Sequence, residues 1–114
     1  MNTQLFLNLL GASITAGLGT MALFRPSLAA AFTSIQPKDV LGVSEIRATY
    51  GGFFLALGAY ALYSQNTTTF MVAGVAWIGA AAGRTLSVFL DRSYQPKNFG
   101  GIVLEAGVGT LLLL

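Results

Sequence analysis

ATYGGFFLALGAYALYSQNTTTFMVAGVAWIGAAAG, residues 48–83, runs for 36 residues without an acidic or basic side chain. A hydrocarbon core of roughly 30 Å is crossed by about 20 apolar residues in a helix. The run is too long for one span and long enough for two. Its interruption is Ser64-Gln65-Asn66-Thr67-Thr68-Thr69, six polar residues in a row, which predicts spans over about 46–63 and 70–90. Working outward, residues 1–24 carry no charge and Leu5–Phe24 makes a first span. Arg25-Pro26 stops it, because proline disfavours the helical conformation of the residue before it. On the other side, Asp91, Arg92, Tyr94, Gln95, Pro96, Lys97 and Asn98 form a loop, and a last span of about 99–114 ends in four leucines. The expected fold class is all-α: a transmembrane four-helix bundle, one integral membrane domain over residues 1–114, arranged as two tandem helical hairpins.

Composition agrees with lipid as the solvent. Charged residues are 9% of the chain and mean hydropathy is +0.70, where soluble domains carry about 25% charged residues. Cys and His are both absent. That excludes a disulfide framework, a thiolate nucleophile and Fe–S ligation, the usual zinc, copper and haem ligands, and a Ser-His-Asp triad. The pI of 9.3 rests on a net charge of +2, which does not suggest nucleic acid as a partner. The first segment reads as a span rather than a cleaved leader. It has no basic n-region and exceeds the roughly 7–15 apolar residues of a signal peptide, although Ser27-Leu28-Ala29-Ala30 has the small residues of a cleavage site.

Lys and Arg gather in two connectors: Arg25 and Lys38 with Arg47 just beyond, then Arg92 and Lys97. The positive-inside rule puts both connectors in the cytoplasm and both termini outside, in the inner membrane if the source is bacterial. Gln36-Pro37-Lys38-Asp39 and Gln95-Pro96-Lys97-Asn98 stand 59 residues apart, as do Arg25 and Arg84. This is either a parallel repeat of two hairpins or a coincidence of one tripeptide.

Arg84 and Glu105 are the informative ionisable residues. A charge at the centre of a membrane helix costs about 2.5–3.5 kcal/mol, so such groups pair or line a polar cavity. Arg84 lies seven residues before Asp91, about 10 Å of helix, and Glu105 eight residues after Lys97, about 12 Å. They therefore reach similar depth from one side, and an Arg84–Glu105 ion pair is the leading expected contact. Glu45 and Arg47 enter from the same side. Arg84, Ser87 and Asp91 fall at i, i+3 and i+7, and Arg47 with Tyr50 at i and i+3. The expected polar cluster is thus Glu45, Arg47, Tyr50, Arg84, Ser87, Asp91 and Glu105. It reads either as a staple holding helices together or as a site for a ligand or proton on the cytoplasmic half.

Small residues point to close packing. Gly79-Ala80-Ala81-Ala82-Gly83 is a GxxxG stretch that suits a neighbouring helix of this chain or of another membrane subunit, and Gly51, Gly52, Ala56 and Gly58 suit the same role in the second span. Trp77 falls within its span, and Tyr50, Tyr60 and Tyr63 anchor or line helix ends. Asn66-Thr67-Thr68 matches a glycosylation sequon in a loop too short and too near the bilayer to use it.

Around these residues the sequence resembles DUF4345, a bacterial family of small four-helix membrane proteins of unknown function. The resemblance rests on Glu45-Ile46-Arg47-Ala48-Thr49-Tyr50-Gly51-Gly52, on Gly83-Arg84-Thr85-Leu86-Ser87 with Asp91, and on Glu105 with Gly107. It covers roughly residues 40–110, with the first helix matching in character. The family often has Asn where Glu45 stands and Gly where Arg92 stands. The resemblance implies a four-helix fold and no activity, with a more distant similarity to DoxX-like proteins, some associated with redox complexes.

Three functions remain in view. The first is a non-enzymatic accessory or scaffold subunit of a membrane complex, in contact with membrane lipids and with other subunits through Gly79 and Gly83. The second is a lipid or isoprenoid binder or a proton-linked carrier using Arg84, Glu105, Arg47 and Asp91 with Tyr50. An enzyme using carboxylates and a tyrosine for proton transfer is third. No cofactor or metal is implied, with room left for a bound lipid or pigment.

Overall fold

The structure, a computed structural model, describes residues 2–114, and all regular structure among them is helical. In chain order the elements are α1 (Thr3–Phe24), α2 (Pro26–Thr33), α3 (Val40–Glu45), a π-helical segment (Ile46–Gly52), α4 (Phe53–Ser64), α5 (Thr67–Leu90) and α6 (Pro96–Leu113). By length and composition α1 and α5 are apolar enough to cross a membrane.

Boundaries follow local chemistry. α1 ends at Phe24 where Arg25-Pro26 predicted, but Pro26 then occupies the first turn of α2, where its missing N–H is no loss. The expected polar connector is therefore partly helical. α2 closes on Ser34 in the left-handed region, φ 61°. Asp39 caps α3 by accepting from the Gly42 amide at 3.1 Å. The Ser64–Thr69 interruption is only two residues wide, because Gln65 turns at φ 48° and Asn66 Oδ1 then accepts from the amides of Thr68 and Thr69. The threonines expected in the loop become the first turn of α5. α6 likewise begins at Pro96 rather than at about 99. The tetrapeptides at 36–39 and 95–98 play different local roles. Pro37 lies outside the helix that Asp39 caps, whereas Pro96 is inside α6.

Two compact units divide the chain: the described residues through Gly11 together with Gln65–Leu114, and Ala12–Ser64. In the second unit the last half of α1 runs antiparallel to the π segment and α4. A Cβ on Gly58 would sit 2.8 Å from both Ala12 O and Ala16 Cα, one on Gly19 2.8 Å from Leu55 Cα, and one on Gly51 2.8 Å from Leu23 Cα. Three glycines thus let two backbones meet with no side chain between them. Beyond them Ala22, Ala29 and Ile46 form a buried cluster flanked by Met21, Ala30 and Tyr50. The π turn, with Phe53 N–H reaching Ala48 O, falls where Gly51 meets α1.

The first unit is built on an antiparallel α5–α6 hairpin. Its close approach is at Gly74 and Gly109, where a Cβ on either would lie 3.1 Å from the other's carbonyl oxygen. The expectation that Gly79 and Gly83 would admit a helix of this chain is not met, since a Cβ at either meets nothing within 4 Å. Gly51 and Gly58 do serve as expected, whereas Ala56 is exposed and a Cβ on Gly52 would meet only Arg47 O, at 3.8 Å. Side-chain hydroxyls are absorbed by their own helices: Thr85 Oγ1 donates to Ala81 O at 2.8 Å and Thr110 Oγ1 to Ala106 O at 2.7 Å.

The start of α1 closes the far end of α6. A helix leaves its last four carbonyls without intrahelical donors. Asn8, 7% exposed, donates from Nδ2 to Leu111 O at 2.8 Å and Leu112 O at 3.2 Å, and Gln4 Nε2 donates to Leu114 O. Asn8→Leu is therefore expected to destabilise by about 1–3 kcal/mol, the cost of orphaning buried acceptors. Amide exchange over the last turn of α6 checks this, and unchanged protection there would refute the capping role.

A candidate ion-pair site

Arg84 projects from α5 and meets α6 in a fork. Its Nε donates to Glu105 Oε1 at 2.7 Å and its Nη2 to Glu105 Oε2 at 2.9 Å, while Nη1 donates to Asn98 Oδ1 at 3.1 Å. Two parallel bonds to one carboxylate are the strongest geometry a guanidinium makes. The side chain of Glu105 is 11% exposed and that of Arg84 38%. The expected Arg84–Glu105 pair is present.

α6 is shaped to receive it. Asn98, Gly101 and Glu105 stand at i, i+3 and i+7 on one helical face. A Cβ on Gly101 would lie 2.8 Å from Arg84 Nε and 2.9 Å from Cζ, so glycine there is what lets the guanidinium lie flat against α6. The Asn98 amide is oriented by its own donation from Nδ2 to Ser93 O at 3.1 Å. Sequence reasoning missed Asn98 and Gly101, although their spacing from Glu105 was available as a signal.

The other expected members fall elsewhere. Ser87 Oγ donates to Asp91 Oδ2 at 2.6 Å along α5, at the exposed end of the helix. Glu45, Arg47 and Tyr50 belong to the other unit. Arg47 Nη1 donates to Leu23 O at the end of α1, a cation placed on the negative end of a helix dipole. Tyr50 packs beside Ala22 and Ile46, with its ring 6.0 Å from that of Phe54. Glu45 is exposed. Among the described residues no group of three or more carboxylates could hold a metal ion.

Chemically, the pair neutralises itself. Both carboxylate oxygens of Glu105 accept from Arg84, and the third contact to Asn98 locks the fork. What the geometry performs is the joining of α5 to α6.

No curated protein and no solved structure matches the chain. The model of the domain of unknown function DUF4345 matches residues 3–114, essentially the whole length described above, and the chain belongs to that family.

Proposed function

We propose that this is an integral membrane protein without catalysis of its own, a transmembrane four-helix bundle acting as an accessory or scaffold subunit of a membrane complex. The carrying observation is the inside-out surface of α5. Val72, Val75 and Phe89 are 61%, 62% and 71% exposed, while the Arg84 fork is turned against α6. The core helix of a soluble protein is mostly buried, whereas the apolar window of α5 is 28% buried. Large exposed side chains are a liability in water and the ordinary surface in lipid. The two-pronged ion pair between neighbouring helices supports a stapling role. Positive charge in the two connectors supports cytoplasmic connectors with both termini outside, as in a bacterial inner membrane.

Gly79 and Gly83, open within the chain, supply a smooth face for another subunit. Gly79→Leu and Gly83→Leu are expected to leave the isolated protein folded. They should reduce cross-linked or co-purifying partners in native gels by about tenfold, equivalent to roughly 1.4 kcal/mol of association. Extraction of the wild type by alkaline carbonate tests the membrane reading itself. A protein released into the aqueous fraction refutes it, and a strictly monomeric particle without partners refutes the accessory role.

The second reading, a lipid, isoprenoid or proton-linked carrier at the Arg84–Glu105 pair, draws support from the partial exposure of the guanidinium. Unchanged ligand content by native mass spectrometry in folded Arg84→Leu and Glu105→Gln proteins would remove it.

A further inference from the structure

A second basic feature lies in the Ala12–Ser64 unit. Where α1 gives way to α2, Arg25, Ser27 and Arg47 line one cleft of about 370 Å³, walled by Phe24, Pro37 and Val43. No acidic residue is in its lining. Arg25 is exposed, and among the described residues its guanidinium makes no hydrogen bond or ion pair. Arg47 spends Nη1 on Leu23 O. A guanidinium carries five N–H donors, so most of its donor capacity remains. No side chain caps the start of α2, whose first turn carries Ser27 at the cleft. Two guanidiniums and an uncommitted hydroxyl line this one cleft with no carboxylate among its lining residues.

We infer that this cleft binds a phosphate mono- or diester, with Arg25 and Arg47 gripping the phosphoryl oxygens, Ser27 donating to a third, and Phe24 and Pro37 meeting the organic part. Guanidinium donors match phosphate oxygens in pairs. Unlike Arg84, neither arginine at this corner is paired with a carboxylate. The inference for a lipid phosphate rests on the membrane reading above, because only then does an anionic headgroup lie beside the connector. The inference for a free phosphate does not.

The test uses the full-length protein in a neutral detergent, with short-chain phosphatidylglycerol, short-chain phosphatidylcholine and inorganic phosphate as separate probes. Binding is read by thermal shift and by native mass spectrometry. Phosphatidylglycerol is expected to raise the melting temperature saturably. Arg25→Gln, which removes no hydrogen bond or ion pair within the protein, is expected to weaken that binding about tenfold. Lys97→Gln, outside the cleft, is expected to leave it unchanged. Arg47→Gln also removes the bond to Leu23 O, so its readout is the affinity of whatever folded fraction remains. Stabilisation by inorganic phosphate with the same dependence on Arg25 supports the site with a free anion as its ligand. Arg25-dependent binding of phosphatidylcholine as well supports a phosphodiester site, whereas no binding of any probe, binding insensitive to Arg25→Gln, or equal loss in Lys97→Gln would each overturn it. Carbonate extraction of the cell membranes before any detergent is added separates the two claims: an extractable protein that still binds phosphate through Arg25 refutes the membrane reading and keeps the site.

Discussion

Arg84→Leu is expected to lower the stability of the detergent-purified protein by about 3–5 kcal/mol, the cost of leaving a buried carboxylate without its cation. Glu105, 11% exposed, has a short stem and no second cation within the fork. Glu105→Leu should cost less, about 1–2 kcal/mol. The Arg84 side chain is already 38% exposed, and its long stem can carry the charge outward. The double change should recover much of the loss, because apolar replacement of both partners of a buried pair is often close to neutral. Equilibrium unfolding in mixed micelles gives the cycle directly. Additive single effects would show that the two groups are not energetically coupled, and a cost for Glu105→Leu equal to that of Arg84→Leu would contradict the assigned asymmetry.

Gly58→Ala and Gly19→Ala are expected to be the most damaging single-methyl changes in the chain. The new carbon would sit against backbone in each case: the Ala12 carbonyl and Ala16 Cα for Gly58, the Leu55 Cα and the Phe54 carbonyl carbon for Gly19, all at 2.8 Å. Backbone in a packed helix pair cannot swing aside as a side chain can, so the cost should lie at the upper end of overpacking, about 3 kcal/mol. The same substitution at Gly79, which meets nothing within 4 Å, should be neutral or stabilising by up to about 1 kcal/mol through helix propensity. Thermal unfolding of the three variants in parallel tests the contrast. A Gly58→Ala protein as stable as Gly79→Ala would mean that α1 and α4 do not meet as described.

Much of this molecule was legible before any coordinates. The stretch at 48–83 implied two helices, and the Arg84–Glu105 pair followed from depth along the chain, because a charge among apolar residues has few ways to be satisfied. Less legible were the short elements. The α2 helix hid in a connector read as polar, since proline signals both the end of one helix and the start of another. The threonines after Asn66 read as loop because their capping role depends on a side-chain bond rather than on polarity. The glycines were the least decidable. Gly79 and Gly83 matched a packing motif and proved open, while Gly19, Gly74 and Gly109, which match no motif of that kind, sit at the crossings.

Helical class, the family, the need for a compensating carboxylate near Arg84 and the excluded chemistries all follow from which residue types are present and how far apart they stand. Period, charge and absence are properties of a linear string. Which glycines touch a neighbour, that Asn98 and Gly101 complete the grip on Arg84, and that Arg25 and Arg47 share a cleft depend on how each helix is rotated about its axis and where it crosses the next. Those rotations are set by packing between segments distant in the chain, and no local run of residues encodes them.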